Sequence, residues 1–108
     1  MNHVTVTTSF ASTHTDKAES EYIHGHTFHV SARELGVSFD LLDHLVEIAQ
    51  ELHLHSLDDM LIGSGQDLRS MTAWFMERLI LRHPRIDRVE MWVADRPEER
   101  FGVDREVR

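Results

Sequence analysis

The tripeptide His24-Gly25-His26 is where residue types and spacing in this sequence point most directly to chemistry. On a β-strand, residues two apart share a face, so the two imidazoles project together. Histidine is the commonest metal ligand, and a pair of histidines needs a further ligand from elsewhere in the chain. His14 ends the preceding predicted strand, and an antiparallel hairpin brings it alongside the pair. Three neutral imidazoles leave one tetrahedral position open, as in catalytic zinc sites, so we predict one Zn²⁺ on His14, His24 and His26.

Other histidines have simpler explanations, although nine histidines in 108 residues is an unusual number. An isolated His-x-His on a strand is also common as a pair of surface or packed side chains. His29 has the opposite parity to His24 and His26, so we expect it to be exposed or packed rather than metal-bound. His53 and His55 fall at the end of a predicted helix, where a cation interacts favourably with the helix dipole.

The composition restricts the classes of function. Eleven basic against nineteen acidic side chains give a formal net charge of −8, so we expect no binding to nucleic acid or to anionic membranes. The absence of cysteine excludes disulfides, thiolate zinc sites and cysteine nucleophiles. No apolar run approaches the roughly 20 residues that cross a bilayer, and MNHVTVTTSF lacks the pattern of a signal peptide. We therefore expect a soluble, cytoplasmic protein with a single domain over residues 1–108.

Alternation of apolar and polar residues predicts the strands that position the histidines. It runs through residues 3–14 and 22–34, which we expect to pair as an antiparallel hairpin across a polar loop. Residues 86–94 and 100–107 are predicted as two further strands, separated by a turn at 96–98.

Helical spacing predicts two helices between these pairs of strands. The first begins near Asp40 and fades near His53, and the second begins at Ser64, which with Asp67 resembles a capping box, and ends at His83-Pro84. The predicted class is α+β, of order β-β-α-α-β-β, with a four-stranded antiparallel sheet and both helices on one face. The helices should bury a set of apolar residues against that sheet: Leu41, Leu45, Phe75 and Leu79.

Two segments resemble the opening strands of the 6-pyruvoyl-tetrahydropterin synthase and 6-carboxy-tetrahydropterin synthase family. They are Phe10-Ala11-Ser12-Thr13-His14 and His24-Gly25-His26-Thr27-Phe28, similar to that family's F-S-A-x-H and H-G-H-x-[YF] motifs, whose histidines bind zinc. The stretch GVSFD at 36–40 resembles the family's G-x-V-x-D-F entry to its first helix, and the element order resembles its tunnelling fold, or T-fold. The resemblance implies a zinc-dependent lyase acting on 7,8-dihydroneopterin triphosphate or a related pterin-like compound.

The resemblance also implies candidates for acid–base catalysis. The family's usual base is a cysteine shortly before H-G-H, and its position here falls at Ser20. Glu21 creates an E-x-x-H-G-H pattern, which resembles a branch in which glutamate replaces that cysteine; an ordinary acidic loop residue is the alternative. His55 is the candidate for the family's assisting histidine, with Asp58 or Asp59 in place of its usual aspartate neighbour.

Substrate binding is where the sequence departs furthest from the family. The family's third strand ends in V-x-V-x-E-T, whose glutamate holds the amino-pyrimidine edge of the pterin, and Val93 occupies that position here. Valine cannot make a bidentate contact, so Asp95, which lies close by, is the candidate replacement. Leu42-Asp43-His44 matches the family's L-D-H literally but comes too early in the first helix, and we assign it no role.

Two functions follow from these observations. One is an active pterin-type lyase, and the alternative is a divergent homologue that keeps the zinc site but binds or transforms a different small molecule. An open coordination position argues against a purely structural zinc protein. A small core with exposed sheet edges favours association between chains. The resemblance implies a homo-oligomer in which trimers close into barrels and two barrels stack as a hexamer, with active sites between subunits.

Overall fold

A computed structural model describes residues 2–15, 23–54 and 67–107, with the backbone alone for 13–15 and 23–25. In these ranges the elements follow the predicted β-β-α-α-β-β order of an α+β protein. They are β1 (His3–Thr15), β2 (Ile23–Leu35), α1 (Leu41–Leu52), α2 (Leu68–Ile80), β3 (Ile86–Val93) and β4 (Arg96–Asp104). The strands form one antiparallel sheet in the order β1-β2-β3-β4, so β1 and β4 are its edges.

Two predicted boundaries were wrong. The turn between β3 and β4 lies at residues 94–95, and β4 begins at Arg96 and ends at Asp104. The pairing of β3 with β4 shifts its register between Trp92 and Val93. Because proline is tolerated at such irregular positions on an edge strand, β4 can contain a proline near its start. The start of α2 also differs, because Asp67 is its N-cap, where Ser64 was expected. The Asp67 carboxylate accepts the backbone N–H of Ser70 at 2.7 Å.

Both helices cover one face of the sheet, as predicted. Phe10 of β1 stacks on Phe28 of β2 at 5.4 Å between ring centroids and lies 5.7 Å from Phe75 of α2. The four helix residues predicted to be buried are all buried: Leu41, Leu45, Phe75 and Leu79. Burial of each such side chain contributes about 1.5–3 kcal/mol, which fixes the helices against the strands.

The other face of the sheet is polar and partly exposed. The Trp92 ring lies between the His29 imidazole, 5.4 Å away, and the Arg100 guanidinium, 5.1 Å away. His29 is therefore a packed strand histidine, on the face away from Phe28. Arg33 pairs with Asp87 on the same face at 2.9 Å. No helix in the described part of the chain is long and apolar enough to span a membrane.

Candidate functional site

The pairing of β1 with β2 brings the three predicted zinc ligands to one end of the sheet. In this antiparallel register His14 lies opposite His24, and Ser12 lies opposite His26. Residues directly opposite each other on antiparallel strands share a face and have Cα atoms about 4.5–5.5 Å apart. Positions 14, 24 and 26 therefore occupy the same face of the hairpin, the one that carries the buried Phe28.

His26 is the one member of this trio whose side chain the structure describes. It is half-buried, and its ring meets Phe28 edge-on at 5.8 Å between centroids. Among the described side chains, no group of three or more His, Cys, Asp or Glu residues is arranged to hold a metal ion. Because the side chains of His14 and His24 lie outside that set, the zinc site stays a prediction. Its donors suit zinc, since imidazole nitrogen is among the ligands that zinc prefers and the chain contains no thiolate.

A pocket of about 210 Å³ lies beside His26, between the end of the sheet and the start of α2. Its walls combine apolar side chains with two carboxylates; they are His26, Phe28, Asp67, Leu68, Met71, Val93 and Glu99. Val93 is 3 % exposed and forms an apolar wall of this pocket. In the family that the sequence resembles, a glutamate is expected at this position.

Glu99 of β4 is a pocket residue that the sequence did not indicate. Its carboxylate pairs with Arg96 at 3.1 Å, and about half of the side chain is exposed. Neither spacing nor composition distinguishes it from the acidic residue before it on this edge strand. Only the folding of β4 against β3 places Glu99 near Val93 and His26.

The second carboxylate of the pocket, Asp67, is held in its ionised form. The hydrogen bonds that it accepts from Ser70 lower the pKa of Asp67 below its ordinary value, against a smaller opposing effect of burial. Its anionic charge also interacts favourably with the N-terminus of α2. The pocket therefore presents negative charge on the side facing α2.

The C-terminal end of α1 is fixed to β1 next to the predicted metal site. The Ser12 hydroxyl donates to the carbonyl of Leu52, and the Ala11 N–H donates to Nδ1 of His53 at 3.1 Å. Leu54, in the left-handed region with φ 61°, donates its N–H to the carbonyl of Ala11. These contacts involve β1 residues two and three positions before His14.

The remaining predicted site residues have different outcomes. Glu21, His55 and Asp58 lie outside the described residues, as do Ser20 and Asp59. Asp95 is exposed in the turn between β3 and β4, and the pocket beside His26 is lined by its neighbours Val93 and Glu99. The structure thus brings His26 together with Glu99 and Asp67 around one pocket.

Comparison with solved structures identifies the fold. No protein-family model matches the sequence, and no curated protein matches it significantly. The 6-pyruvoyl tetrahydropterin synthase of Caenorhabditis elegans superposes with a TM-score of 0.77 at 15 % identity, covering 98 % of both chains. The Plasmodium falciparum synthase gives 0.66 at 17 % identity, again covering 98 % of both. A Plasmodium vivax synthase, a catalytic-residue mutant with glutamate replaced by alanine, gives 0.66 at 15 % identity over the same 98 % of each chain. The chain therefore has the T-fold of these synthases.

Proposed function

We propose that this chain is a zinc-dependent lyase acting on a reduced pterin, 7,8-dihydroneopterin triphosphate or a related compound. The observation that carries the proposal is the β1–β2 register, which puts positions 14, 24 and 26 on one face, where His26 lines a pocket. The shared fold with 6-pyruvoyl tetrahydropterin synthases supports a pterin as substrate. The chemistry fits as well, because three imidazoles leave a coordination position for a substrate oxygen.

In this proposal the chain's own groups hold the metal and move protons. His14, His24 and His26 are the ligands, and zinc, when bound, polarises and acidifies a hydroxyl of the substrate side chain. Glu21 is the base, because a carboxylate is ionised near pH 7 whereas a serine hydroxyl at Ser20 is not. The Plasmodium vivax synthase whose mutated catalytic residue is a glutamate supports a carboxylate in that role.

Two further groups complete the proposed acid–base machinery. His55, assisted by Asp58, is the second proton-transfer group. In the sequence, His55 follows α1. Hydrogen bonds of Ser12, Ala11 and His53 hold the end of that helix against β1, close to the predicted ligands. Histidine suits such a role because imidazole is the side chain that most readily gains and loses a proton near neutral pH.

Recognition of the pterin ring needs a carboxylate other than the one the family uses. Asp95 is our first candidate, and Glu99 is a second that the structure adds because it lines the pocket beside Val93. Two carboxylate oxygens accept the paired N–H groups of an amino-pyrimidine edge, which valine cannot do.

The size of the pocket supports a multi-chain active site. At about 210 Å³ it is smaller than the 300–1,000 Å³ usual for sites that enclose a ligand. Among the described residues, each of the edge strands β1 and β4 has one side that pairs with no other strand, and such edges pair readily with further strands. We propose a hexamer built as a dimer of trimers. Light scattering should give six times the 12.6 kDa chain mass, and a stable monomer would contradict this arrangement.

The alternative function is a divergent homologue that keeps the metal site and handles another small molecule. The buried, apolar Val93 favours this alternative function, because this wall of the pocket lacks the carboxylate that holds the pterin in the family that the sequence resembles. This alternative predicts stoichiometric metal with no turnover of a pterin.

Incubation of the zinc-loaded protein with 7,8-dihydroneopterin triphosphate, followed by chromatography of the products, tests the proposed function. We expect release of triphosphate or cleavage of the side chain, loss of activity in Glu21→Gln, and retained activity in the matched Ser20→Ala variant. An active Glu21→Gln with an inactive Ser20→Ala would reverse the assignment of the base. Bound zinc without any product would support the alternative, and absence of both would overturn the proposal.

A further inference from the structure

A second group of ionisable side chains lies at the opposite end of β2 from His26. Glu34, His44 and His83 are all buried, at 7 %, 8 % and 5 % exposure. Nδ1 of His83 lies 2.8 Å from a carboxylate oxygen of Glu34, and the two imidazole rings are 5.2 Å apart between centroids. Eight residues of extended strand, roughly 26 Å, separate Glu34 from His26, so this cluster is distinct from the proposed active site.

Two nitrogen atoms of the cluster are buried without a hydrogen-bond partner in the described part of the chain. They are Nδ1 of His44 and Nε2 of His83. A buried polar atom without a partner is energetically unfavourable, so such atoms call for a physical explanation. The described residues offer no third metal-ligating group arranged around this pair, so a preformed metal site does not explain them.

The cluster joins three parts of the fold. Glu34 lies at the end of β2, His44 in the first turn of α1, and His83 in the segment between α2 and β3. A backbone hydrogen bond joins two of these parts, since the Leu35 N–H at the end of β2 donates to the carbonyl of Arg85 at 3.1 Å. A pocket of about 470 Å³ lies along this seam, lined by the connection from β2 to α1 and by residues 82–85.

Charged groups face the two histidines from every one of these parts. Asp40, before α1, lies 3.9 Å from Nε2 of His83 and 3.5 Å from Arg82. Glu47 on α1 lies 3.6 Å from Arg82. Arg85 lines the adjoining pocket, and Glu34 contacts His83 from β2. A proton added to His44 thus arrives beside His83 and Arg82, and the carboxylates that oppose this effect at His44, Asp40 and Glu47, are exposed.

We propose that His44 and His83 form a pH switch, in which protonation of His44 loosens the start of α1 from the segment between α2 and β3. A charged imidazole cannot remain in this buried position without a partner, because burying an unpaired charge is strongly unfavourable. It therefore moves towards water and towards Asp40 and Glu47. The connection before α1 carries the exposed side chains Val37 and Phe39, and this is the segment that becomes free to move.

The electrostatics of His44 support this switch. Burial, then the positive charges of Arg82 and His83, lower the pKa of His44, while Glu47 and Asp40 oppose the change more weakly. Between the lowered folded pKa and the ordinary value near 6.5, the unfolded chain binds more protons at this residue than the folded chain. The stabilisation is complete above about pH 6.5, and it is lost as the pH falls through this window.

Unfolding midpoints in urea between pH 8 and pH 5 test the switch, with His44→Leu as the non-titrating variant and His29→Gln as the matched control. Wild type and His29→Gln should lose free energy of unfolding on acidification, and His44→Leu should lose less, by no more than the one proton that His44 can bind. Any loss of predicted zinc ligation affects all three proteins equally, so the difference between them isolates His44. Parallel pH profiles for His44→Leu and wild type would overturn the proposal.

Two measurements on the wild-type protein test the switch without a variant. Residue-resolved NMR should show His44 titrating below an ordinary imidazole, and amide exchange in 36–44 and 81–85 should accelerate between pH 7 and pH 5.5, after correction for intrinsic rates. Titration of His44 at or above the ordinary value, or exchange that is unchanged in those segments, would overturn the proposal.

Discussion

The two ends of β2 place histidines and carboxylates in opposite environments. At one end, half-buried His26 lies beside a pocket whose carboxylates, Asp67 and Glu99, are largely exposed. At the other, Glu34 and His83 form a buried pair against His44. The residue types are nearly the same, yet His26 is half-buried, whereas Glu34, His44 and His83 are all buried.

The two ends therefore differ in the burial of their histidines more than in their residue types. Neutral imidazole is the form that ligates zinc, and this is the role that we propose for His26. A buried imidazole without a partner is forced towards its neutral form, so its protonation becomes coupled to the stability of the fold. Each end can therefore be tested by changes that leave the other unaffected.

Metal binding should show the largest difference between the ends. His26→Ala is expected to lose the single bound zinc, whereas the matched His83→Gln and His29→Ala variants should retain it. His29 is on the same strand as His26 with opposite parity, and it stacks on Trp92. Metal analysis after gel filtration measures the stoichiometry. Full zinc retention in His26→Ala would remove this residue from the site.

Removal of the Glu34 carboxylate should be the most destabilising change at the buried end. Glu34→Leu leaves Nδ1 of His83 without its partner and should lower the free energy of unfolding by about 1–3 kcal/mol in urea titrations. Glu90→Gln is the control, because Glu90 pairs with Arg88 and Arg100 on the more exposed sheet face, where such pairs contribute about 0–1 kcal/mol. The double variant Glu34→Leu with His83→Leu should recover part of the loss. Equal losses in Glu34→Leu and Glu90→Gln would contradict a special role for the buried pair.

A smaller effect is expected where α1 meets β1 beside the predicted metal site. Ser12→Ala removes the hydroxyl that donates to the carbonyl of Leu52 and should cost about 1.5 kcal/mol of folding free energy. Ser9→Ala, an exposed change on the same strand, should be close to neutral. If the contact also positions His55, Ser12→Ala will lower any lyase activity, while Ser9→Ala will not. Identical unfolding curves for the two variants would show that the hydrogen bond contributes nothing.

The smallest effect is expected at the N-cap of α2. Its pH dependence should distinguish the pocket end of β2 from the buried end. Asp67→Ala should cost about 1 kcal/mol and Asp67→Asn only a few tenths, since asparagine also caps helices. Because the pKa of Asp67 is lowered, its contribution is complete above the ordinary value near 3.9 and falls only as the pH drops through the folded value. The stability gap to wild type should thus stay constant from pH 7 to pH 5, where the His44 contribution changes. If the gap closed over that range, the acid sensitivity would come from Asp67, and the attribution to His44 would be wrong.

Local patterns in the sequence were sufficient for the elements and for part of the site. Alternation and helical spacing depend on a residue's near neighbours, so they predicted the order of strands and helices and the burial of Leu41 and Phe75. The spacing of His24 and His26 likewise placed both on one face, because period two is a property of any strand. The capping residue and the start of β4 were missed, because Asp67 and Ser64 are both good caps and edge-strand register follows from pairing.

Only the tertiary structure decided which distant residues meet. Glu34 and His83 are 49 positions apart, and nothing local to either indicates that they share a hydrogen bond. Glu99 likewise reaches the pocket beside His26 only because β4 folds back on β3. Such contacts depend on strand order, register and the packing of both helices, which are properties of the whole chain. The sequence by itself therefore determined which side chains were available for chemistry, and the fold determined which of them are buried together and which face a pocket.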